Sequence, residues 1–256
     1  MGKIGVKNMP YSTIICTTKD HVASLTLNRP EAANSVNLKL AQELGDACRQ
    51  LNQEDEVYVV VLSGVGGKAF CGGSDVEKPG EVHATASAIA GIEKPTVAAI
   101  NGDALGQGLE LALSCDIRLA SEGARLGFPQ LAQGLIPADG GTQRLARLVG
   151  RGKALELILT AETVTAAEAL EIGLVDRVVE GAKLADEAKA LADSIASKGP
   201  IALRFIKEAV NKGLDLTLEQ GLRLEGDLYF LLHTTADRTE GINAFLKKRP
   251  PEFKNK

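Results

Sequence analysis

The sequence predicts an α/β fold that ends in a run of helices. In the first half, short β-branched runs alternate with stretches whose apolar residues recur at helical spacing. In the second half strand-like runs fade and helix-start signals follow one another. With 256 residues, 45% of them hydrophobic, the chain is long enough to bury a large core.

The elements follow in order. HVASLTLNRP alternates apolar and polar residues until Pro30, which predicts a half-buried strand over 22–27. Leu40, Leu44, Ala47, Cys48 and Leu51 then recur on one helical face. VYVVVLSG is apolar without interruption until its last residues, the pattern of a strand buried on both faces. TVAAING repeats that form, and DIRLAS is a third short strand. Between these two lies a helix-like run that carries a lone acid, Glu110. Further on, Thr165 with Glu168 and Thr217 with Gln220 form capping boxes. Helices are expected over 184–196, 201–210, 218–232 and 237–246. SKGP at 197–200 stops a helix. We therefore expect a core over 1–199 and a helical region over 200–256.

Composition excludes several functions. Charged residues make up 24%, the net charge is −4, and no basic footprint for nucleic acid is present. Aromatics are 4% and tryptophan is absent, which argues against a base-stacking surface. No apolar stretch approaches the ~20 residues that span a bilayer. The N-terminus has no signal-peptide core, so a cytoplasmic protein is expected. Cys16, Cys48, Cys71 and Cys115 form no CxxC and read as reduced, buried thiols. His21, His83 and His233 lack metal-ligand spacing.

Two glycine-rich segments follow buried strands: GVGGKAFCGGSDV at 64–76 and GDALGQG, which opens the 102–120 run. Residues 64–69 formally fit a dinucleotide fingerprint. That fingerprint must open a helix, and Phe70-Cys71-Gly72-Gly73 is a poor helix start. The alternative is that both loops expose backbone N–H groups. Glycine admits close approach to the main chain, and the first N–H groups of a helix are unpaired. Two such loops facing each other would hold an enolate oxygen. Plain turns are the other reading of these glycines.

The pattern extends further along the chain. KAFCGGSD, INGDALGQGLELALSCDIRLA and GFPQLAQGLIPADGGTQRLARLVG occur in that order, with NRPEAANSV before them and TAAEALEIGLVDRVV and EGINAFLKKRPPEF after. This series resembles the crotonase superfamily, the enoyl-CoA hydratase/isomerase family, over nearly the whole chain. The resemblance implies a spiral of ββα turns and a C-terminal helical region used in trimerisation. It implies a homotrimer or dimer of trimers, and an acyl-CoA thioester as ligand. Coenzyme A is then part of the substrate, and no redox cofactor or metal is implied.

Site roles implied by the resemblance carry over residue by residue. The thioester oxygen is expected on the backbone N–H groups of Ser74 and Gln107; Gln107 departs from the glycine usual there. Glu110 matches a catalytic glutamate, with a structural cap or ion pair as the plainer alternative. The second family glutamate falls at Gln130, whose amide cannot exchange a proton at neutral pH but can hold a water. Asp139 lies where dienoyl-CoA isomerases carry an aspartate, and its DGG resembles the dihydroxynaphthoyl-CoA synthase branch. The second acid is thus expected to have moved to Asp139, unless Asp139 caps a helix beginning near Gly140. Two carboxylates in a partly dry site would push each other's pKa apart. Substrate contacts are implied at Arg29, Ala32, Lys68, Cys71, Gly73, Asp75, Val76 and Gly106. Lys68, Arg29 and the basic residues at 247–249 could meet CoA phosphates, or be solvated charges.

The expected activity is water addition to an unsaturated acyl-CoA, dienoyl or cyclic in the case of a moved acid. The alternatives are double-bond isomerisation, C–C cleavage by decarboxylation or hydrolysis, and a non-catalytic CoA-binding scaffold.

Overall fold

The computed structural model describes residues 7–8, 10–75 and 83–256. Strands β1 (Lys7–Asn8), β2 (Ile14–Lys19) and β3 (Val22–Leu27) form an antiparallel start. Asp20 and His21, both at positive φ, join β2 to β3 in a two-residue loop. Such a loop matches the twist of its strands when both residues are left-handed. Helix α1 (Leu38–Gln53) follows, with the Asn37 side chain accepting the Leu40 N–H at 2.9 Å as its cap.

The chain then winds in turns of one pattern. Each turn lays a strand in a large sheet, a short strand in a small sheet, and a helix. The first is β4 (Val59–Gly64), β5 (Ala69–Cys71) and α2 (Ala86–Ala90). The second is β6 (Thr96–Ile100), β7 (Asp103–Leu105) and α3 (Gln107–Leu113). The third is β8 (Ile117–Ser121), β9 (Arg125–Gly127) and α4 (Gly141–Val149). The rest comprises α5 (Arg151–Thr160), β10 (Thr163–Thr165), α6 (Ala166–Glu171), β11 (Arg177–Val179), α7 (Leu184–Ala196), α8 (Pro200–Gly213), α9 (Leu218–Leu232) and α10 (Ala236–Leu246).

The large sheet has the order β1-β2-β3-β4-β6-β8-β11, parallel from β3 onward. The small one has the order β10-β9-β7-β5, parallel except for β10 against β9. This is the expected α/β spiral. Residues 69–71 are a strand, so no helix opens at the first glycine loop and the dinucleotide reading fails.

The unbroken apolar run of β4 has a direct cause. Val60 and Leu62 point into the core shared with Leu40, Leu44 and Leu51 of α1. Val59 and Val61 point to the other face, where Leu184, Ala188 and Ala192 of α7 cover them. Successive strand residues face opposite sides, and here both sides are buried. Phe70 and Phe128 fill the centre of the main core with no exposed surface. All four cysteines are reduced and buried there, as expected. Both capping boxes form, at Thr165 and Thr217.

Candidate active site

The two glycine loops meet. After β5, the Gly72 N–H donates to the Ala33 carbonyl at 2.9 Å and the Val36 N–H to Gly73 at 2.8 Å. The Asp75 N–H donates back to Val36 at 2.7 Å. This lacing leaves the Ser74 N–H between them without an acceptor among the described residues. At the second loop Gly106 has φ 53° and ψ −120°, which L side chains avoid. A Cβ on Gly108 would collide with the Cys71 carbonyl oxygen. Glycine at 108 thus lets the first turn of α3 press against the end of β5. The Gln107 N–H, like that of Ser74, has no acceptor among the described residues. Side chains join the two donors' residues, the Ser74 hydroxyl donating to Gln107 Oε1 at 2.7 Å.

Glu110 lies one turn further along α3 and is 2% exposed. Its Oε1 accepts the N–H groups of Asp139 and Gly141, each at 2.8 Å. A Cβ on Gly141 would come within 2.9 Å of that oxygen, so glycine there lets the backbone reach the carboxylate. Burial raises the Glu110 pKa above the ordinary glutamate value; the Gly141 and Asp139 N–H groups oppose this, and the Asp139 charge adds to it. Its proton affinity is thus shifted towards neutrality, as acid–base work requires.

Asp139 is also buried, and its role departs from one of the two expected. The N-cap of α4 is Gly140, with no side-chain cap bond, so Asp139 does not cap that helix. Its Oδ2 instead accepts the Thr85 N–H at 2.6 Å, the Ala86 N–H at 2.8 Å and the Thr85 hydroxyl at 3.0 Å. It therefore caps α2, which is remote in sequence. The Gln107 amide adds a fourth donor at 3.2 Å. The backbone of Asp139 meets Glu110, while its carboxylate faces α2 and Gln107.

Gln130 lies in the 3-10 turn Pro129–Gln133, against the second glycine loop. A Cβ on Gly106 would be 3.0 Å from Gln130 Nε2. Its Oε1 is buried with no hydrogen-bond donor among the described residues. A buried acceptor without a donor is costly, and here it borders the loop that carries the Gln107 N–H.

The remaining expected contacts scatter. Arg29 is not a solvated charge. It donates to the Ser35 carbonyl at 2.5 Å and to Asp75 at 2.7 Å, and its side chain is 14% exposed. Both Arg29 and Asp75 thereby brace the first loop. Cys71 is fully buried, and its thiol is pushed up to about 12 by burial, so its contribution is the backbone beside Gly108. Gly73, at φ 120°, makes the turn before Ser74. Ala32 is half-buried in a turn that packs near Gly72, and Lys68 is exposed. Val76 lies outside the described residues. At 247–249, Arg249 is paired with Glu240 at 2.6 Å, while Lys247 and Lys248 are exposed. Among the described residues no cluster of three or more His, Cys, Asp or Glu could hold a metal ion.

Sequence reasoning missed Thr85 and the Ser74 hydroxyl. Thr85 carries a signal, a threonine directly before the helical ASAIA. Nothing in the sequence shows that Ser74 and Gln107 touch.

Two backbone N–H groups without acceptors among the described residues, on loops joined by the Ser74–Gln107 contact and with a buried carboxylate one turn away, are an arrangement able to stabilise an enolate and move protons beside it. Residues 17–256 match the family described as enoyl-CoA hydratase/isomerase. The chain is 39% identical to the short-chain-enoyl-CoA hydratase of Clostridium acetobutylicum, over 97% of this chain and 100% of that one. It is 38% identical to the crotonyl-CoA hydratase of Syntrophomonas wolfei, with the same shares. The crystal structure of enoyl-CoA hydratase from Bacillus anthracis superposes with a TM-score of 0.89 at 41% identity, over 98% and 99% of the two chains. The chain belongs to the enoyl-CoA hydratase/isomerase family and is an enzyme of that type.

Proposed function

We propose that this enzyme adds water across the α,β double bond of a short unsaturated acyl-CoA, as a carbon–oxygen lyase running in reverse. The observation that carries the reading is Glu110, a buried carboxylate of raised pKa fixed by two backbone donors beside the paired loops. The names of its relatives, short-chain-enoyl-CoA and crotonyl-CoA hydratases, support a short acyl chain.

The steps follow from the groups present. The thioester oxygen rests on the N–H groups of Ser74 and Gln107. A water donates one hydrogen bond to the donor-less Gln130 Oε1 and the other to Glu110. Its oxygen bonds to Cβ while one proton passes to Glu110. The π electrons move into the thioester, and the two N–H groups stabilise the enolate oxygen. Preorganised donors of this kind are each worth about 10²–10³ in rate. Glu110 then returns its proton to Cα, and the enolate collapses to the hydrated thioester. One glutamate thus performs both transfers, and Gln130 holds the water. Asp139 contributes by position, through its backbone and through α2.

Isomerisation is the competing reading, since a single glutamate can also move a proton along a carbon chain. Mass spectrometry of crotonyl-CoA incubated with the enzyme in heavy water separates the two. A product heavier by one heavy water supports hydration. Carbon-bound deuterium with a shifted double bond and no added oxygen would replace it with isomerisation. Dienoyl- and cyclic acyl-CoA esters tested in parallel would show whether Asp139 accompanies a larger acyl group.

Oligomerisation forms part of the same reading. Leu214, Leu218, Phe230, Phe245 and Leu246, on or beside α8, α9 and α10, are each more than two-thirds exposed. Large apolar residues gathered this way mark an interface. Further copies of the chain are the proposed cover.

A further inference from the structure

Gln107 occupies a place where its backbone alone would serve the hole. Its side chain is nonetheless 2% exposed and engaged at both ends. Oε1 accepts the Ser74 hydroxyl at 2.7 Å. Nε2 shares its two hydrogens among three acceptors, the His83 carbonyl at 2.5 Å, Thr85 Oγ1 at 3.1 Å and Asp139 Oδ2 at 3.2 Å. Thr85 in turn donates its hydroxyl to the same Asp139 oxygen at 3.0 Å. A single amide therefore links the first loop, the second loop, the entry to α2 and the segment that holds Glu110.

We propose that the Gln107 side chain is a positioning residue that staples the two oxyanion donors together, with the Ser74 hydroxyl as its near anchor and Asp139 as its far one. The physical need is specific. Ser74 is exposed at the end of a loop, and among the described residues its backbone is held through its neighbours, by the bonds of Gly73 and Asp75 to Val36 and of the Asp75 carboxylate to Arg29. Gln107 is fixed by the packing of Gly108 on Cys71. The hydroxyl-to-amide bond transfers that fixity to Ser74. It sets the gap between two N–H groups that must converge on one oxygen. Errors of about 1 Å in such an arrangement cost up to about 10² in rate. Asp139 orients the amide: its carboxylate only accepts, so Nε2 must face it and Oε1 must face Ser74. Asp139, expected from the sequence as a proton-transfer acid, is thereby given a different task, the orientation of Gln107.

The proposal rests on the hydration reading only through the oxyanion hole that both use, and the test separates them. Acetoacetyl-CoA, a β-ketoacyl thioester whose enolate absorbs in the near ultraviolet, reports the hole without any hydration. It is bound to the full-length enzyme, to Ser74→Ala, to Gln107→Met, to the double variant and to Ser74→Thr. Crotonyl-CoA kinetics are measured alongside. The expected result is an enolate on the wild type and a fall of about tenfold in enolised fraction and in kcat for each single variant, with KM nearly unchanged. The double variant is no worse than either single one, because both cut the same link. Ser74→Thr restores the signal. Wild-type enolate on Ser74→Ala, or losses that multiply in the double variant, overturns the staple. Ser74 is exposed, so Ser74→Ala keeps the test valid even where Gln107→Met fails to fold. A wild type that enolises acetoacetyl-CoA without hydrating crotonyl-CoA removes the hydration reading and leaves the staple judged on the enolate alone. A wild type that binds the probe without enolising it overturns the staple, since no working hole is then present.

Discussion

The Asp139 backbone N–H donates to Glu110 Oε1 at 2.8 Å, so the two buried acids touch through a main-chain donor and a carboxylate. The bond holds Glu110 by one oxygen. Oε2 takes no hydrogen bond from the described residues and is the oxygen to which the proposed reaction assigns proton transfer. Glu110→Gln keeps an acceptor for both N–H groups but cannot take a proton. Its kcat for crotonyl-CoA hydration is expected to fall by about 10²–10⁴, with KM little changed. Loss of the conjugated thioester absorbance follows this, and unchanged turnover would remove Glu110 from the mechanism.

The same variant should be the more stable protein at neutral pH. Burial raises the Glu110 pKa above its ordinary value, so the folded chain holds that proton more tightly than the unfolded one. Its contribution is fully present below the ordinary glutamate range and is lost as pH rises through the folded value. Glutamine carries no such loss. Thermal unfolding at neutral pH should show Glu110→Gln melting a few degrees above the wild type, with the gap closing near pH ~4. A variant that melts lower at neutral pH contradicts this.

Gln130 is expected to act on water and not on protons. Gln130→Leu removes the buried acceptor, and kcat should drop by about tenfold without altering the pH profile. Gln130→Glu introduces a second carboxylate beside Gly106. It should add an ionisation to the kcat/KM profile, because two neighbouring acids separate their pKa values. Identical profiles for Gln130→Glu and wild type would place Gln130 away from the reacting atoms.

Glu43 of α1 is expected to contribute to the loss of stability in acid. Burial works against its charge, but the Thr13 hydroxyl at 2.6 Å, the Thr13 N–H at 2.7 Å and the two Ser12 donors outweigh it and hold the pKa at about 2. The folded value lies below the unfolded one. Its stabilisation is therefore present above the ordinary glutamate pKa and is lost as pH falls towards about 2. Glu43→Gln should cost about 1–3 kcal/mol at neutral pH in urea unfolding. That difference should shrink as the pH is lowered through this window, and a pH-independent difference would assign the cost to packing alone.

The apolar face of the terminal helices gives the last expectation. Leu218 is 80% and Phe245 83% exposed, so charges there should leave the single fold intact. If the proposed oligomer forms, Leu218→Lys with Phe245→Asp should convert it to monomer in sedimentation velocity. A wild type that already sediments as a monomer refutes the interface.

Much of the scaffold is written locally. The strands at 22–27 and 59–64, the helix face from Leu40 to Leu51, and both capping boxes follow from side-chain alternation, an unbroken apolar run, helical spacing and cap chemistry, which act over a few residues. The strands of the small sheet were not legible, because β5, β7, β9 and β10 have only three residues each and such a stretch holds no period. The Asp20–His21 turn lacked glycine or asparagine and gave no hairpin signal.

At the site, the sequence by itself determined which groups are present: an acid at 110, an amide at 130, an acid at 139, and glycines that free backbone N–H groups. Tertiary structure alone decided which of them meet. Asp139 could have capped the helix that follows it, and a local rule favoured that. It caps α2 instead, 53 residues away in the chain, and receives the Gln107 amide. The reason is physical. A buried carboxylate collects whatever donors surround it, and those surroundings are assembled by the packing of Gly108 on Cys71 and of Gly141 on Glu110, distances that no sequence window contains.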